Sequence, residues 1–244
     1  MTAIIAHRGY SAYYPENTLL AFDKAADFDI WGIELDVHLT KDQEVVIIHD
    51  ERIDRTSNGQ GYVKDKTLKE LKTFAFYGDF PQTQVSHPEA IKILTLREFF
   101  EWFKPLSIKV NIELKTNIFR YQGINERVWG LIQEFNLADR VLISSFNHHS
   151  VVDFMSLAKG SAVEFAFLTG ACLLEPGSYC QQYGVGHYHP YFVSLEPADL
   201  INCQDQAIQV NPYTVNDPEL IQQVAAMGVD AIITNYVERA LDLV

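Results

Sequence analysis

Residues 32–37 read Gly-Ile-Glu-Leu-Asp-Val, a short apolar run in which two acidic residues lie two positions apart. Comparable apolar and β-branched runs recur along the chain, at 3–6, 45–48, 108–114, 141–145, 162–168, 191–195, 207–210 and 231–234. Strands that are buried on both faces of a parallel sheet have this nearly continuous apolar pattern. The run at 32–37 therefore predicts one strand of a buried parallel sheet, and its recurrence predicts several more.

Amphipathic helical patterns separate most of these strands. They cover residues 18–28, 96–103, 123–135, 150–158 and 218–227, and Asn17 is placed to cap the first helix. Repeated strand–helix alternation favours a parallel sheet, and eight such units in about 250 residues favour a closed barrel. The sequence therefore predicts an α/β fold of the (β/α)8 TIM-barrel type, with residues 1–244 forming a single domain.

Residues 50–91 interrupt this rhythm. The stretch is polar, has an Asn-Gly turn signal at 58–59, and contains one helical pattern at 68–76. We interpret it as a small insertion after the second βα unit. Four aromatic residues in it could either form a small core or line a cleft: Phe74, Phe76, Tyr77 and Phe80.

The charge balance excludes several classes of partner. The 244 residues include 19 Lys and Arg against 32 Asp and Glu, which gives a net charge of −13. No basic cluster of the kind that binds nucleic acid or an anionic membrane is present in the sequence. We therefore expect no nucleic-acid partner. The oligomeric state is left open, because no pattern in the sequence indicates it.

The amino-terminal residues and the cysteines indicate the cellular compartment of the protein. Residues 1–6 lack the basic segment and apolar run of a signal peptide, and no run of about 18 apolar residues could span a membrane. Cys172, Cys180 and Cys203 form no CxxC pair and indicate reduced thiols. We expect a cytoplasmic protein without stable membrane insertion.

Ionisable residues are concentrated where the predicted strands end, which is where function gathers in a barrel. Glu34 and Asp36 share one face of their strand because side chains alternate along it, and Glu113 ends another strand. Three carboxylates would form a hard oxygen site for one divalent metal ion, Mg²⁺ or Ca²⁺. The alternative is a charged rim whose carboxylates pair with Arg and Lys.

Two histidines and two basic residues complete this set. His7 and His49 each end a strand, and imidazole titrates near neutral pH, which suits general acid–base catalysis. Arg8 is a fork-shaped donor suited to phosphate oxygens. Lys115 would either balance the carboxylates or hold a substrate anion. The pair His187 and His189 has metal-like spacing, but we interpret its Gly/Tyr-rich surroundings as a loop.

Several short motifs follow one another in order over nearly the whole chain. They are 6–9 (Ala-His-Arg-Gly), 15–18 (Pro-Glu-Asn-Thr), 34–36 (Glu-Leu-Asp), 40–42 (Thr-Lys-Asp), 49–50 (His-Asp), 112–115 (Ile-Glu-Leu-Lys), 144–146 (Ser-Ser-Phe) and 228–234 (Gly-Val-Asp-Ala-Ile-Ile-Thr). In this combination the sequence resembles the glycerophosphodiester phosphodiesterase family. The fold of that family is a (β/α)8 barrel with a small insertion.

The resemblance implies an activity and a role for each residue of the set. The activity is metal-dependent hydrolysis of glycerophosphodiesters to glycerol 3-phosphate and an alcohol. By resemblance, the metal ligands are Glu34, Asp36 and Glu113, the general acid and base are His7 and His49, and the residues that bind substrate are Arg8, Lys115 and Tyr213. Two alternatives remain: a lysophospholipase D-like phosphodiesterase that acts on lysophospholipids, and a non-catalytic barrel that binds phosphodiesters.

Of the positions that depart from the family pattern, which also include Val237, Gln43 and Leu94, two are considered for their effect on the site. Tyr213 stands where the family usually has Trp, which affects the wall of the glycerol site. Asn235 stands where an Asp is usual. Neither position belongs to the implied acid–base or metal set, so we expect effects on substrate choice rather than loss of activity.

Overall fold

The computed structural model describes residues 2–80 and 88–244. Their strands are β1 (Ala3–His7), β2 (Gly32–Leu39), β3 (Val45–Ile47), β4 (Leu94–Thr95), β5 (Lys109–Leu114), β6 (Val141–Ser145), β7 (Glu164–Thr169), β8 (His187–Pro190), β9 (Gln209–Val210) and β10 (Ala231–Thr234). Their α-helices are α1 (Leu19–Ala26), α2 (Leu68–Leu71), α3 (Leu96–Phe103), α4 (Ile124–Phe135), α5 (His148–Leu157), α6 (Pro176–Tyr183), α7 (Pro197–Asp205), α8 (Pro218–Ala226) and α9 (Val237–Leu243).

Eight parallel strands form the predicted barrel, in the order β10-β1-β2-β5-β6-β7-β8-β9. The barrel closes because the Ile233 N–H donates to the Pro212 carbonyl and the Asp230 N–H to the Val210 carbonyl, at 3.0 Å each. The apolar outward faces of the strands pack on the helices, for example through the buried rings of Phe22 and Phe99. The TIM barrel expected from strand–helix alternation is confirmed.

The run at 45–48 is a strand, but it does not belong to the barrel. After β2 the chain reverses through residues 40–44, where Thr40 Oγ1 donates to Asp42 Oδ1 and Gln43 has a φ of +67°. β3 therefore pairs antiparallel with β2, and β4 pairs antiparallel with β3. The insertion starts on this ribbon and lies between β2 and α3, inside the second βα unit rather than after it.

The insertion has a small core of its own. Buried side chains from the β3 ribbon and the loops pack together there: Val46, Ile48, Ile53, Val63, Leu71, Phe76 and Ile93, with Leu68 and Phe74 against them. The alternative in which the aromatic residues line a cleft is thus wrong for Phe74 and Phe76. The predicted helix at 68–76 is shorter, since α2 ends at Leu71. Residues 81–87 of the predicted insertion lie outside the described chain.

The predicted strand at 191–195 is wrong by several residues. The barrel strand is β8, which pairs with β7 and β9, while residues 192–194 form a 3-10 turn. His187 and His189, which we had assigned to a loop, therefore lie in a buried strand. Polar side chains face the barrel interior here, where Asn211 Nδ2 donates to His189 Nε2 at 3.0 Å. This polar inner face interrupts the apolar pattern by which the other strands are identified.

Two further features bear on the expectations from sequence. The three cysteines are free thiols, and Cys180 and Cys203 are buried. Among the helices of residues 2–80 and 88–244, none has the length and apolar character needed to cross a membrane.

We predict that alanine substitutions at two helical glycines change the free energy of unfolding in opposite directions. A Cβ at Gly177 in α6 would lie 2.5 Å from the Asn202 carbonyl oxygen and 2.6 Å from Cys203 Cα in α7. Gly177→Ala should therefore lower the free energy of unfolding by about 1–3 kcal/mol through overpacking. At Gly130 in α4, where a Cβ meets no atom of the described chain within 4 Å, alanine should raise it by roughly 0.5–1 kcal/mol. Urea unfolding of both variants measures this, and a stable Gly177→Ala protein would contradict the close helix contact.

Candidate active site

Three carboxylates meet at the carboxyl end of the barrel. The parallel pairing sets Asp36 on β2 beside Glu113 on β5, and Glu34 lies two residues earlier on the same face of β2. All three residues are buried, and one carboxylate oxygen from each lies within 4.8 Å of the others. The predicted acidic cluster is therefore formed by the fold and is not an exposed rim.

Basic groups surround the deepest of these carboxylates. Lys115 Nζ lies 3.6 Å from Asp36 Oδ1, and Arg8 Nε lies 3.4 Å from Asp36 Oδ2. Burial alone would raise the pKa of Asp36, but Lys115, His49 and Arg8 outweigh it and hold that pKa well below its usual range. Asp36 is thus a carboxylate anion although it is almost completely buried.

The other two carboxylates have the opposite shift. Burial, Asp36 and Glu113 raise the pKa of Glu34 well above its usual value. Burial and Asp36 raise the pKa of Glu113, although Lys115 Nζ lies only 2.8 Å from its Oε1. Lys115 and Arg8 therefore neutralise only part of the negative charge of this cluster. A further positive charge would relieve the remaining repulsion between the carboxylates.

The donor set fits a divalent cation. Asp36 Oδ1 is buried and accepts no hydrogen bond within the described chain, although its nearest cation is 3.6 Å away. Buried polar atoms without a partner are rare in native proteins, so such an atom points to a missing ligand. Three carboxylate oxygens are hard donors of the kind that Mg²⁺ and Ca²⁺ prefer. The triad could therefore hold a metal ion, as predicted.

Asn17 has a different role from the one predicted. The cap of α1 is Thr18, whose Oγ1 accepts from the Ala21 N–H. Asn17 instead has a φ of +57° and its Nδ2 donates to Asp36 Oδ2 at 2.9 Å. It is therefore a support of the acidic cluster rather than a helix cap.

His7 is held by an amide. Its Nδ1 lies 2.6 Å from Asn235 Oδ1, and because an amide oxygen only accepts, the proton of the neutral ring is on Nδ1. Asn235 is itself fixed, since its backbone N–H donates to Asn216 Oδ1 at 3.0 Å. Burial and Arg8 lower the pKa of His7 to about 3. His7 thus presents an unprotonated Nε2 on the side of Glu34, 3.9 Å from its Oε2.

His49 is held by a carboxylate. Its Nδ1 lies 2.6 Å from Asp50 Oδ1 and donates to it, so Nε2 is directed away from this carboxylate. Arg55 then links two parts of the site. It donates to Asp50 Oδ2 at 2.7 Å and to both oxygens of Glu16 at 2.8 Å, and Glu16 accepts from Arg8 at 2.9 Å.

A cavity of about 130 Å³ lies between these groups. On one side it is lined by His7, Arg8, Glu34, His49 and Glu113, with Asn111 also contributing. The other lining residues are mainly apolar and aromatic: Phe146, Leu168, Tyr213, Thr214 and Ile233. The Tyr213 hydroxyl donates to the Thr169 carbonyl at 3.1 Å, which fixes its ring in this wall. The cavity accepts a small ligand with one polar and one apolar side.

All eight predicted site residues lie in this region. Asp36 and Lys115 do not line the cavity in the described chain; their paired side chains are buried next to Glu113. The prediction missed the supporting residues Glu16, Asp50, Arg55 and Asn235 as parts of the site. Glu16 lies in the motif at 15–18 and Asp50 in the motif at 49–50, so motif position could have suggested these two residues.

The comparisons with known proteins agree with this geometry. The profile of the Glycerophosphoryl diester phosphodiesterase family matches residues 7–239. The chain belongs to this family. It is 39% identical over 243 residues to a glycerophosphodiester phosphodiesterase of Caldanaerobacter subterraneus, and 40% identical over 248 residues to one of Bacillus altitudinis. Both alignments cover 100% of this chain and 98% of the relative.

A solved structure of a phosphodiesterase is also similar. The protein from Oleispira antarctica, in complex with the product sn-glycerol-3-phosphate, superposes with a TM-score of 0.84 and 25% identity. The match covers 99% of this chain and 97% of that protein. The resemblance inferred from the ordered motifs is thus confirmed, together with the barrel fold.

We predict that a divalent metal stabilises the protein in a pH-dependent way. The raised pKa values of Glu34 and Glu113 mean that the folded state binds protons at these groups more tightly than the unfolded state. Their contribution to stability therefore increases as the pH falls from about 7 towards about 5, and the same protons compete with the metal. Mg²⁺ or Ca²⁺ at 100 times its Kd should add about 2.7 kcal/mol at the higher pH and less at the lower pH.

Thermal unfolding in EDTA and in each metal measures this stabilisation. Glu34→Gln should lose most of the metal-induced shift in Tm, whereas the exposed Glu126→Gln in α4 should keep it. An equal shift in both variants would place the metal elsewhere.

We also predict that Asn235 sets the charge state of His7. Asn235→Asp keeps an acceptor for Nδ1 but adds a negative charge, which favours the imidazolium ion and raises the pKa of His7 by roughly 1–3 pH units. NMR titration of the histidine ring protons measures it, with the exposed His149 as an internal reference. An unchanged titration of His7 would show that Asn235 does not contact it in solution.

Proposed function

We propose that this phosphodiesterase hydrolyses deacylated glycerophosphodiesters to glycerol 3-phosphate and an alcohol, with His7 and His49 as general acid and base. The observation that carries the proposal is the position of the two rings. Both line one small cavity beside the acidic triad, and in both the Nδ1 atom donates to a supporting side chain. Each ring therefore turns its reactive Nε2 away from its own supporting residue.

The active-site residues have different proposed roles in the reaction. Arg8 lines the cavity and offers its guanidinium to the phosphate oxygens, which orients the diester and offsets its charge. The nucleophile is either water or a hydroxyl of the substrate's glycerol group, whose cyclic phosphate water then opens. One histidine takes a proton from it at an unprotonated Nε2 as the new P–O bond forms. The other histidine acts in its imidazolium form, with Nε2 also protonated, and gives that proton to the oxygen of the departing alcohol as its P–O bond breaks. Lys115, buried against Glu113 and Asp36, offsets part of the negative charge of these two carboxylates and fixes their position.

The acidic triad would supply metal-ion chemistry. Glu34, Asp36 and Glu113 would hold one divalent cation, Mg²⁺ or Ca²⁺, which adds positive charge next to the phosphate in an otherwise acidic protein. This local positive charge would offset the net charge of −13, which by itself repels an anionic substrate.

The size of the cavity favours deacylated substrates. At about 130 Å³ it is well below the 300–1,000 Å³ that enclose drug-sized ligands. A glycerol group fits between the triad and the wall formed by Phe146 and Tyr213, where its carbons contact the rings. A lysophospholipid would need additional apolar space for its acyl chain, and we therefore rank the lysophospholipase D-like alternative second. A reaction in the cytoplasm is part of the same proposal.

The test is an assay of glycerol 3-phosphate release from glycerophosphoethanolamine. We expect no release after chelation and recovery with Mg²⁺ or Ca²⁺. His7→Ala and His49→Ala should each lower kcat by about 10²–10⁴-fold, because each removes one proton transfer. The exposed His149→Ala in α5 is the matched control and should leave kcat unchanged.

Two outcomes would contradict the proposal. Full activity of either active-site histidine variant would remove that residue from the acid–base pair. Turnover of lysophosphatidylcholine but not of glycerophosphoethanolamine would favour the lysophospholipase D-like alternative, and binding without turnover of either would favour a non-catalytic barrel.

A further inference from the structure

A second cavity adjoins the first and shares two residues with it. It measures about 440 Å³, and His7 and Arg8 line both cavities. Its other lining residues come from the loop after β1, the insertion and the loops near β10: Ser11, Ala12, Glu16, Arg55, Gly78, Asp79, Phe80, Asn216, Asn235 and Tyr236. A phosphodiester held by Arg8 would thus have one organic group in the inner cavity and the other in the outer one.

We propose that the outer cavity binds the leaving alcohol of the diester and that Asp79 makes it selective for alcohols that carry an ammonium group. The inference rests on the proposed function, which assigns the glycerol phosphate half of the substrate to the inner cavity. The leaving alcohol then occupies the larger of the two spaces.

The arginines of the outer cavity are already neutralised. Arg55 donates to Asp50 and to both oxygens of Glu16. Arg8 donates to Glu16 and lies 3.4 Å from Asp36. These two cations face three carboxylates, so they leave no excess positive charge to attract an acidic alcohol.

Asp79 differs from those carboxylates. It is exposed, and no Lys or Arg of residues 2–80 and 88–244 forms an ion pair with it. Residues 81–87, which follow it closely in the chain, contain neither Lys nor Arg. Asp79 therefore adds a negative charge that no basic side chain of the described residues pairs with, and a cationic group that reaches it is attracted.

Aromatic rings add to the same preference. Phe80 and Tyr236 both line the outer cavity, and aromatic faces attract ammonium groups. One face of the Tyr236 ring is covered by Arg239, whose guanidinium carbon lies 4.0 Å from the ring centre, so the aromatic contribution to ligand binding is assigned to Phe80. A carboxylate together with aromatic side chains is a suitable environment for an ethanolamine or choline group.

The test compares diesters that differ only in the charge of the leaving alcohol. Glycerophosphoethanolamine and glycerophosphocholine carry a cation there, and glycerophosphoglycerol is neutral. Asp79→Asn should lower the ratio of kcat/KM for the cationic over the neutral diester by about two- to fivefold, as expected for an exposed ion pair. Asp79→Lys should lower it further, mainly through KM. Asp153→Asn, in α5 and outside both cavities, should keep the wild-type ratio.

The outcomes separate this inference from the proposed function. An unchanged ratio in both Asp79 variants, or a wild-type preference for the neutral diester, would overturn the inference while glycerol 3-phosphate release continues. Failure to release glycerol 3-phosphate from any of the three diesters would overturn the proposed function, and this inference with it. A graded fall from wild type to Asp79→Asn to Asp79→Lys would support it.

Discussion

The site depends on keeping three carboxylates close together in a buried corner of the barrel. Asp36 is the central case, because it is 1% exposed and its pKa is nevertheless held below the usual range. The fold supplies a stabilising group from several directions: Lys115 after β5, Arg8 after β1 and Asn17 from the first loop. The same crowding raises the pKa of Glu34 and Glu113, so the compensation is incomplete. A bound cation would relieve that residual repulsion.

The supporting contacts also couple residues that lie far apart in the chain. Arg55 binds Asp50, which orients His49, and it binds Glu16, which orients Arg8. A change in the position of Arg55 would therefore affect a proposed proton-transfer group and a proposed phosphate-binding group at once. His7 is independent of this network, since Asn235 holds it from the opposite end of the sequence.

The barrel and the ionisable residues of the candidate site could be predicted because both depend on one local signal, whereas Tyr213 was named only through the family resemblance. A buried parallel strand is apolar, so an ionisable residue at its end stands out, and the topology brings all such ends to one face. Glu34, Asp36 and Glu113 were identified in this way. The ordered motifs then supplied the family.

The wrong predictions concern features that a local sequence pattern does not determine. Periodicity shows that 45–48 is extended, but it says nothing about pairing direction, which the reversal at 40–44 decides. β8 was missed because His187 and His189 face a polar barrel interior. Asn17 was predicted as a cap because its type suits one, whereas its positive φ directs it to Asp36. The contact of His7 with Asn235 spans 228 residues and could not be read from spacing.

The separate core of the insertion has a consequence for how this protein can change. His49 follows directly after Ile48, which packs in that small core, whereas His7 ends a strand of the barrel itself. The two imidazoles are thus supported by two different hydrophobic clusters, one large and one small. The clusters meet at β3, where Val45 and Ile47 pack in the barrel core and Val46 and Ile48 pack in the small core. We therefore expect a substitution in the small core, away from β3, to shift His49 relative to His7 at less cost to stability than a substitution in the barrel core.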